Sequence, residues 1–125
     1  MAAGIYTWTN QNPANNKPMV EIAIEIWLHS ESGPDATILD AEEQGRLIIV
    51  DNGGARIQPV IEGFTLQNGS SDFWGGGSAI LCSSCDPTIE GNIIVDNWTF
   101  YTGGAIMLYE SNAIIEATFS PAISW

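Results

Sequence analysis

The feature that most constrains this chain is an internal repeat. Residues 77–93 lie over residues 103–119 without a gap, at an offset of 26. Gly77, Ala79, Ile80, Ile89 and Glu90 meet identical Gly103, Ala105, Ile106, Ile115 and Glu116, while Leu81 meets Met107, Cys82 meets Leu108, Asp86 meets Asn112 and Ile93 meets Phe119. At an offset of 28, Pro59, Ile61, Glu62 and Gly63 match Pro87, Ile89, Glu90 and Gly91. Leu39-Asp40-Ala41, 22 residues before Ile61-Glu62-Gly63, reads as a fainter fourth copy. Periods of this length, each with two or three short apolar segments, belong to solenoids whose turns stack as parallel sheets. Leucine-rich repeats share the period but need a regular Leu framework, which this chain lacks.

In such a stack, equivalent positions sit roughly 4.8 Å apart. Ile61, Ile89 and Ile115 are then expected to form one inward column, begun by Leu39, and Ile80 and Ile106 a second. The steps Gly76-Gly77 and Gly103-Gly104 suit sharp turns between sheets. Val20, Ile22, Ile24, Ile26 and Leu28 alternate with Glu21, Ala23, Glu25 and Trp27, a period of two that predicts one half-buried strand with Ile inward. Ile5–Thr9 is a short strand candidate, and residues 10–18, rich in Asn and Pro, read as a loop. With 45% hydrophobic and only 14% charged residues, disorder is excluded despite the charge imbalance. The expectation is one domain over 1–125, with 1–19 irregular, 20–119 coiled and 120–125 a tail.

Ile61-Glu62-Gly63-Phe64-Thr65-Leu66-Gln67-Asn68-Gly69, then Gly75-Gly76-Gly77, then Asp86-Pro87-Thr88-Ile89-Glu90, resembles the right-handed parallel β-helix proteins of the pectin-lyase-like superfamily. Gly33-Pro34-Asp35-Ala36-Thr37-Ile38-Leu39-Asp40 is similar to the segment that precedes such repeats. The resemblance implies an all-β, right-handed, single-stranded parallel β-helix of about four to five coils. It implies an extracellular or cell-surface setting, although Met-Ala-Ala-Gly-Ile-Tyr carries neither the basic nor the apolar region of an export signal. Members of the superfamily are usually longer and capped at both ends. The expectation here is a piece or a miniature, with exposed terminal coils that favour homo-oligomers.

Asp40, Glu62, Glu90 and Glu116 are expected at one place in successive coils. Such a row either splays into solvent or shares a cation, and carboxylate oxygens suit Ca²⁺. No other cofactor is indicated. Trp27 is out of phase with the Ile row and should face outward, and Trp74 and Trp98 lie in or beside turns. Exposed indoles of this kind stack on sugar rings or are covered by folded-back loops. Cys82-Ser83-Ser84-Cys85 lacks the further ligands zinc needs, since His29 is the one other soft donor, and Cys82 aligns with Leu108 as an inward thiol. A local disulfide and a free pair both fit that spacing.

A formal net charge of −12, from 15 acidic and 3 basic side chains, repels phosphate backbones, so nucleic acid is not an expected partner. No apolar run approaches a membrane span, so no membrane insertion is expected. Polysaccharide elimination needs a base and a cation for the uronate. Lys17, Arg46, Arg56 and His29 are the basic candidates, and none sits in a lyase motif. Glycoside hydrolysis needs spaced carboxyls, for which Asp40, Asp51, Asp72 and Asp96 are available. No catalytic residue is singled out. The leading reading is a non-catalytic scaffold or adhesion module that binds glycan or self-associates. The alternative is a polysaccharide lyase or glycoside hydrolase.

Overall fold

The computed structural model describes residues 1–71, 76–99 and 104–116. Gly75, Gly103, Phe119 and the 120–125 tail, all invoked above, lie outside the described residues. The chain is a parallel β-solenoid with three main walls and almost no helix. The first wall is built from β1 (Gly4–Thr7), β4 (Thr37–Asp40), β7 (Thr65–Gln67) and β11 (Ile93–Val95). The second comprises β2 (Val20–Ile22), β5 (Ile48–Asp51), β9 (Ile80–Ser83) and β13 (Ile106–Tyr109). The third holds β3 (Trp27–His29), β6 (Val60–Glu62), β10 (Thr88–Glu90) and β14 (Ile114–Glu116). A short fourth strip pairs β8 (Ser70–Ser71) with β12 (Trp98–Thr99). Among the described residues each main wall has four strands, so three steps separate its end levels. About three turns therefore lie between the first level and the last, slightly fewer than the four to five coils expected.

The repeat sets the register. Ile89 lies beside Ile61 and Ile115, and Ile80 beside Ile48 and Ile106. Ile48, Ile61, Ile80 and Ile89 are fully buried. Two expectations are corrected. Leu39 does not begin the Ile61 column. It lies beside Leu66 on the first wall, and Leu28 takes the place next to Ile61. The span from Leu39 to Ile61 passes from the first wall to the third without completing a circuit. The single strand over 20–28 is in fact two, β2 and β3, with a corner between them. A wall accommodates only three or four residues, so the chain must turn after Ile22, and Ile24 is left 64% exposed. Two smaller differences lie in the 1–19 segment: Gly4–Thr7 pairs with β4, and Trp8–Gln11 forms one helical turn, α1, capped by the Thr7 side chain.

Corners interrupt the ladder, and their polar groups need other partners. Between the third and first walls the chain turns at Gly63 (φ +86°) and Gly91 (φ +63°), a backbone region that favours glycine. A Cβ on Gly63 would meet Ser30 Oγ at 2.5 Å. Asn92, almost wholly buried, bridges two levels here. Its Oδ1 accepts from the Phe64 N–H (2.9 Å) and its Nδ2 donates to the Ile61 carbonyl (3.0 Å). Asn97 does the same one corner on, accepting from Gly69 N–H (2.7 Å) and donating to Leu66 O (2.9 Å). Arg56 clamps three levels. It donates to both Asp86 carboxylate oxygens (2.6 and 3.2 Å) and to the Glu110 carbonyl (3.1 Å). No helix among the described residues is long and apolar enough to cross a membrane.

Two substitutions separate the column from the corner. Ile89→Ala is expected to cost about 2–5 kcal/mol through the cavity it leaves. Asn92→Leu is expected to cost about 1–3 kcal/mol for each of the two backbone groups it orphans. Urea midpoints at unchanged slope check both.

Candidate functional site on the third wall

Side chains alternate inward and outward along a strand, so Leu28, Ile61, Ile89 and Ile115 point in while their neighbours face out. Two outward rows result. One runs Trp27, Val60, Thr88, Ile114; the other runs His29, Glu62, Glu90, Glu116. The third wall therefore gathers Trp27, Glu62, Glu90 and Glu116 on one face. It does not gather Asp40, which was expected to join the glutamates. Asp40 lies on the first wall beside Gln67, because Leu39 aligns with Leu66.

Trp27 is 59% exposed yet held in place. Its indole stacks on His29, with centroids 3.8 Å apart and planes 20° from parallel, and its Nε1–H donates to Glu62 Oε1 (3.1 Å). His29, a basic candidate in the sequence, instead supports the indole. The signal that could have found its role is parity: residues 27 and 29 share a face, and aligning Leu28 with Ile61 puts His29 next to Glu62. Trp98 is also exposed, but it belongs to the fourth strip, beside a cleft with Glu43 and Ser70. Trp74 lies outside the described residues.

Glu90 is flanked by a carboxylate on either side. A hydrogen bond to Glu62, its partial burial and the charges of Glu62 and Glu116 together raise its pKa above the ordinary glutamate range. The middle of the row thus holds its proton more tightly than a free glutamate. Among the described residues, no three His, Cys, Asp or Glu side chains form a group able to hold a metal ion.

The other acidic candidates have structural work. Burial pushes the Asp40 carboxyl up, but hydrogen bonds from the Glu42 N–H, Asn68 and Gln67 outweigh it and hold the pKa below the usual range. Asp51 accepts from the Gly53 N–H (2.8 Å) in a turn, and Asp96 occupies a corner at φ +56°. Asp72 lies outside the described residues. Cys82 and Cys85 are free and buried. Burial, with a smaller contribution from Cys85, pushes the Cys82 thiol up to about 12, far from a reactive thiolate.

Comparison with known proteins finds no matching family model, no matching curated protein and no matching solved structure.

Glu90 is raised in the folded state, so it favours folding below the ordinary carboxylate range and disfavours it once pH exceeds its own raised value. Asp40 and Asp86, both held low, contribute in the opposite sense, and their stabilisation is lost as pH falls through their lowered values. Glu90→Gln is therefore expected to melt above the unaltered chain near neutral pH. The advantage should shrink as pH falls and vanish below about 4.3, as checked by paired circular-dichroism melts at fixed ionic strength.

Proposed function

We propose that this chain is a short parallel β-helix of the pectin-lyase-like type, acting at the cell surface or outside the cell as a non-catalytic module that binds glycan on its third wall. The observation that carries this reading is the orientation of Trp27: exposed, stacked on His29 and hydrogen-bonded to Glu62. A fixed indole face accepts the C–H face of a sugar ring at low entropic cost, and adjacent carboxylates accept hydroxyl protons. The glutamate row and the charge of −12 favour a neutral, hydroxyl-rich glycan over a polyanion.

Catalysis fits the same residues less well. Retaining glycosidases hold their carboxyls about 5–5.5 Å apart and inverting ones farther. Glu62 and Glu90 are register neighbours in one row, close enough for Glu62 to raise the Glu90 pKa, and are not set on opposite sides of a cleft. For elimination, Arg56 is committed to Asp86 and Glu110, and His29 to Trp27.

Pull-down on insoluble cellulose, xylan and chitin, followed by calorimetry with their soluble oligosaccharides, tests the reading. Saturable binding without new reducing ends or unsaturated products is expected, and Trp27→Ala should weaken it about tenfold or more. Absence of binding, or binding indifferent to Trp27, rejects it.

Self-association has an observation of its own. Ile5, Ile24 and Ile26 are exposed in the first level, where β1, β2 and β3 each have a hydrogen-bonded neighbour on one side only among the described residues. Sedimentation velocity over a concentration series should then show dimers or stacks, and a concentration-independent monomer removes this reading.

A further inference from the structure

The chain contains two Asn-Gly steps, Asn52-Gly53 and Asn68-Gly69. An asparagine side chain is open to attack by the backbone nitrogen that follows it, and glycine, without a Cβ, obstructs that attack least. The fold treats the two steps in opposite ways. Gly69 is buried at the corner before β8. Its N–H donates to Asn97 Oδ1 (2.7 Å), and its carbonyl accepts from the Trp98 N–H (2.9 Å). A Cβ on Gly69 would overlap the Ser78 carbonyl, so the backbone there has no room to swing. Asn68 is itself held, its Nδ2 donating to Asp40 Oδ1 (3.0 Å). Asn52-Gly53 instead lies at the corner after β5, where Gly53 and Gly54 are exposed at φ +72° and +109°. A Cβ on either would meet nothing within 4 Å. The Gly53 N–H donates to a carboxylate, Asp51 Oδ1 (2.8 Å). Asn52 Nδ2 donates to the Ala23 carbonyl, tying this corner to the one after β2. A single surface hydrogen bond of that kind slows opening by about tenfold at most.

We propose that Asn52-Gly53 is a site of spontaneous covalent modification in the folded protein, and that Asn68-Gly69 is not. The Gly53 nitrogen attacks Asn52 Cγ as its proton passes towards the Asp51 carboxylate. An N–C bond forms, the Cγ–Nδ2 bond breaks, and the side-chain nitrogen leaves as ammonia with that proton. Water then opens the cyclic imide at either carbonyl, leaving an aspartate or an isoaspartyl link in place of Asn52. Nothing is oxidised or reduced, and solvent water is the one co-reactant. Because the nitrogen attacks as it loses its proton, conversion quickens as pH rises. Either product replaces the donor facing the Ala23 carbonyl with a carboxylate, which removes that tie and adds charge beside Asp51. The strand released is β2, which has only β5 beside it among the described residues. The modification is thus a slow, irreversible loosening of the first level. It rests on neither glycan binding nor self-association.

Incubation of the full chain at physiological temperature and mildly alkaline pH, followed by peptide mass spectrometry that separates aspartyl from isoaspartyl products, tests the proposal. In the folded chain Asn52 should convert about tenfold or more faster than Asn68, with both isomers present and a slower rate at mildly acid pH. In urea above the unfolding midpoint the two rates should converge, since both steps then share the same local chemistry. Asn52→Asp, which installs one product without ageing, should make the β2 amides exchange about twofold to tenfold faster, with those of β10 unmoved. An Asn52 that stays intact in the folded chain, or an Asn68 that keeps pace with it, overturns the site. A difference that persists in urea assigns the selection to sequence and overturns the structural argument. Unchanged β2 exchange in Asn52→Asp overturns the loosening.

Discussion

Every feature described above depends on parallel pairing that brings equivalent residues of successive coils side by side. That pairing fixes which side chains stack inward, and inward stacking of Ile and Leu supplies the burial that holds the tube closed. The same pairing carries a cost on the outside, where an identical residue in each coil means like beside like. For isoleucine this is favourable packing; for glutamate it is repulsion. The third wall shows both outcomes within one strand, Ile89 gaining from its neighbours while the Glu90 carboxyl is pushed up by the carboxylates beside it.

Corners are the second requirement. A three-walled tube must bend sharply several times per circuit, and each bend breaks the ladder. Glycines at positive φ make the bend sterically possible, while Asn92 and Asn97 supply the donors and acceptors that the broken ladder loses. Arg56 adds a charge-assisted clamp across three levels of the corner between the second and third walls. Basic residues are scarce here, and that one is fully engaged in architecture.

The columns of Ile61, Ile89 and Ile115, and of Ile80 and Ile106, were legible in the sequence because repetition of one residue type at nearly equal offsets, 28 and 26, leaves a direct trace. The first-wall column was not, since Tyr6, Leu39, Leu66 and Ile94 are of three types and their spacing varies with loop length. Misplacing Leu39 misplaced Asp40 with it. The nine-residue alternation at 20–28 misled for a related reason: period two says which way side chains face but not where a wall ends. Trp27 could be read as outward from parity alone. Its support by His29 and Glu62 could not, because that depends on which residues of another coil lie alongside.

A solenoid of this kind is held together level by level, each coil touching only the ones above and below. The two outer levels therefore have half the neighbours of the inner ones, and opening should proceed by peeling inward from either end instead of by general loosening. Amide protons around Ile61 and Ile89 would then exchange last and those of the outermost strands first. Protection becomes a gradient along the tube axis, with Asn92 close to its summit and Trp27 on the slope.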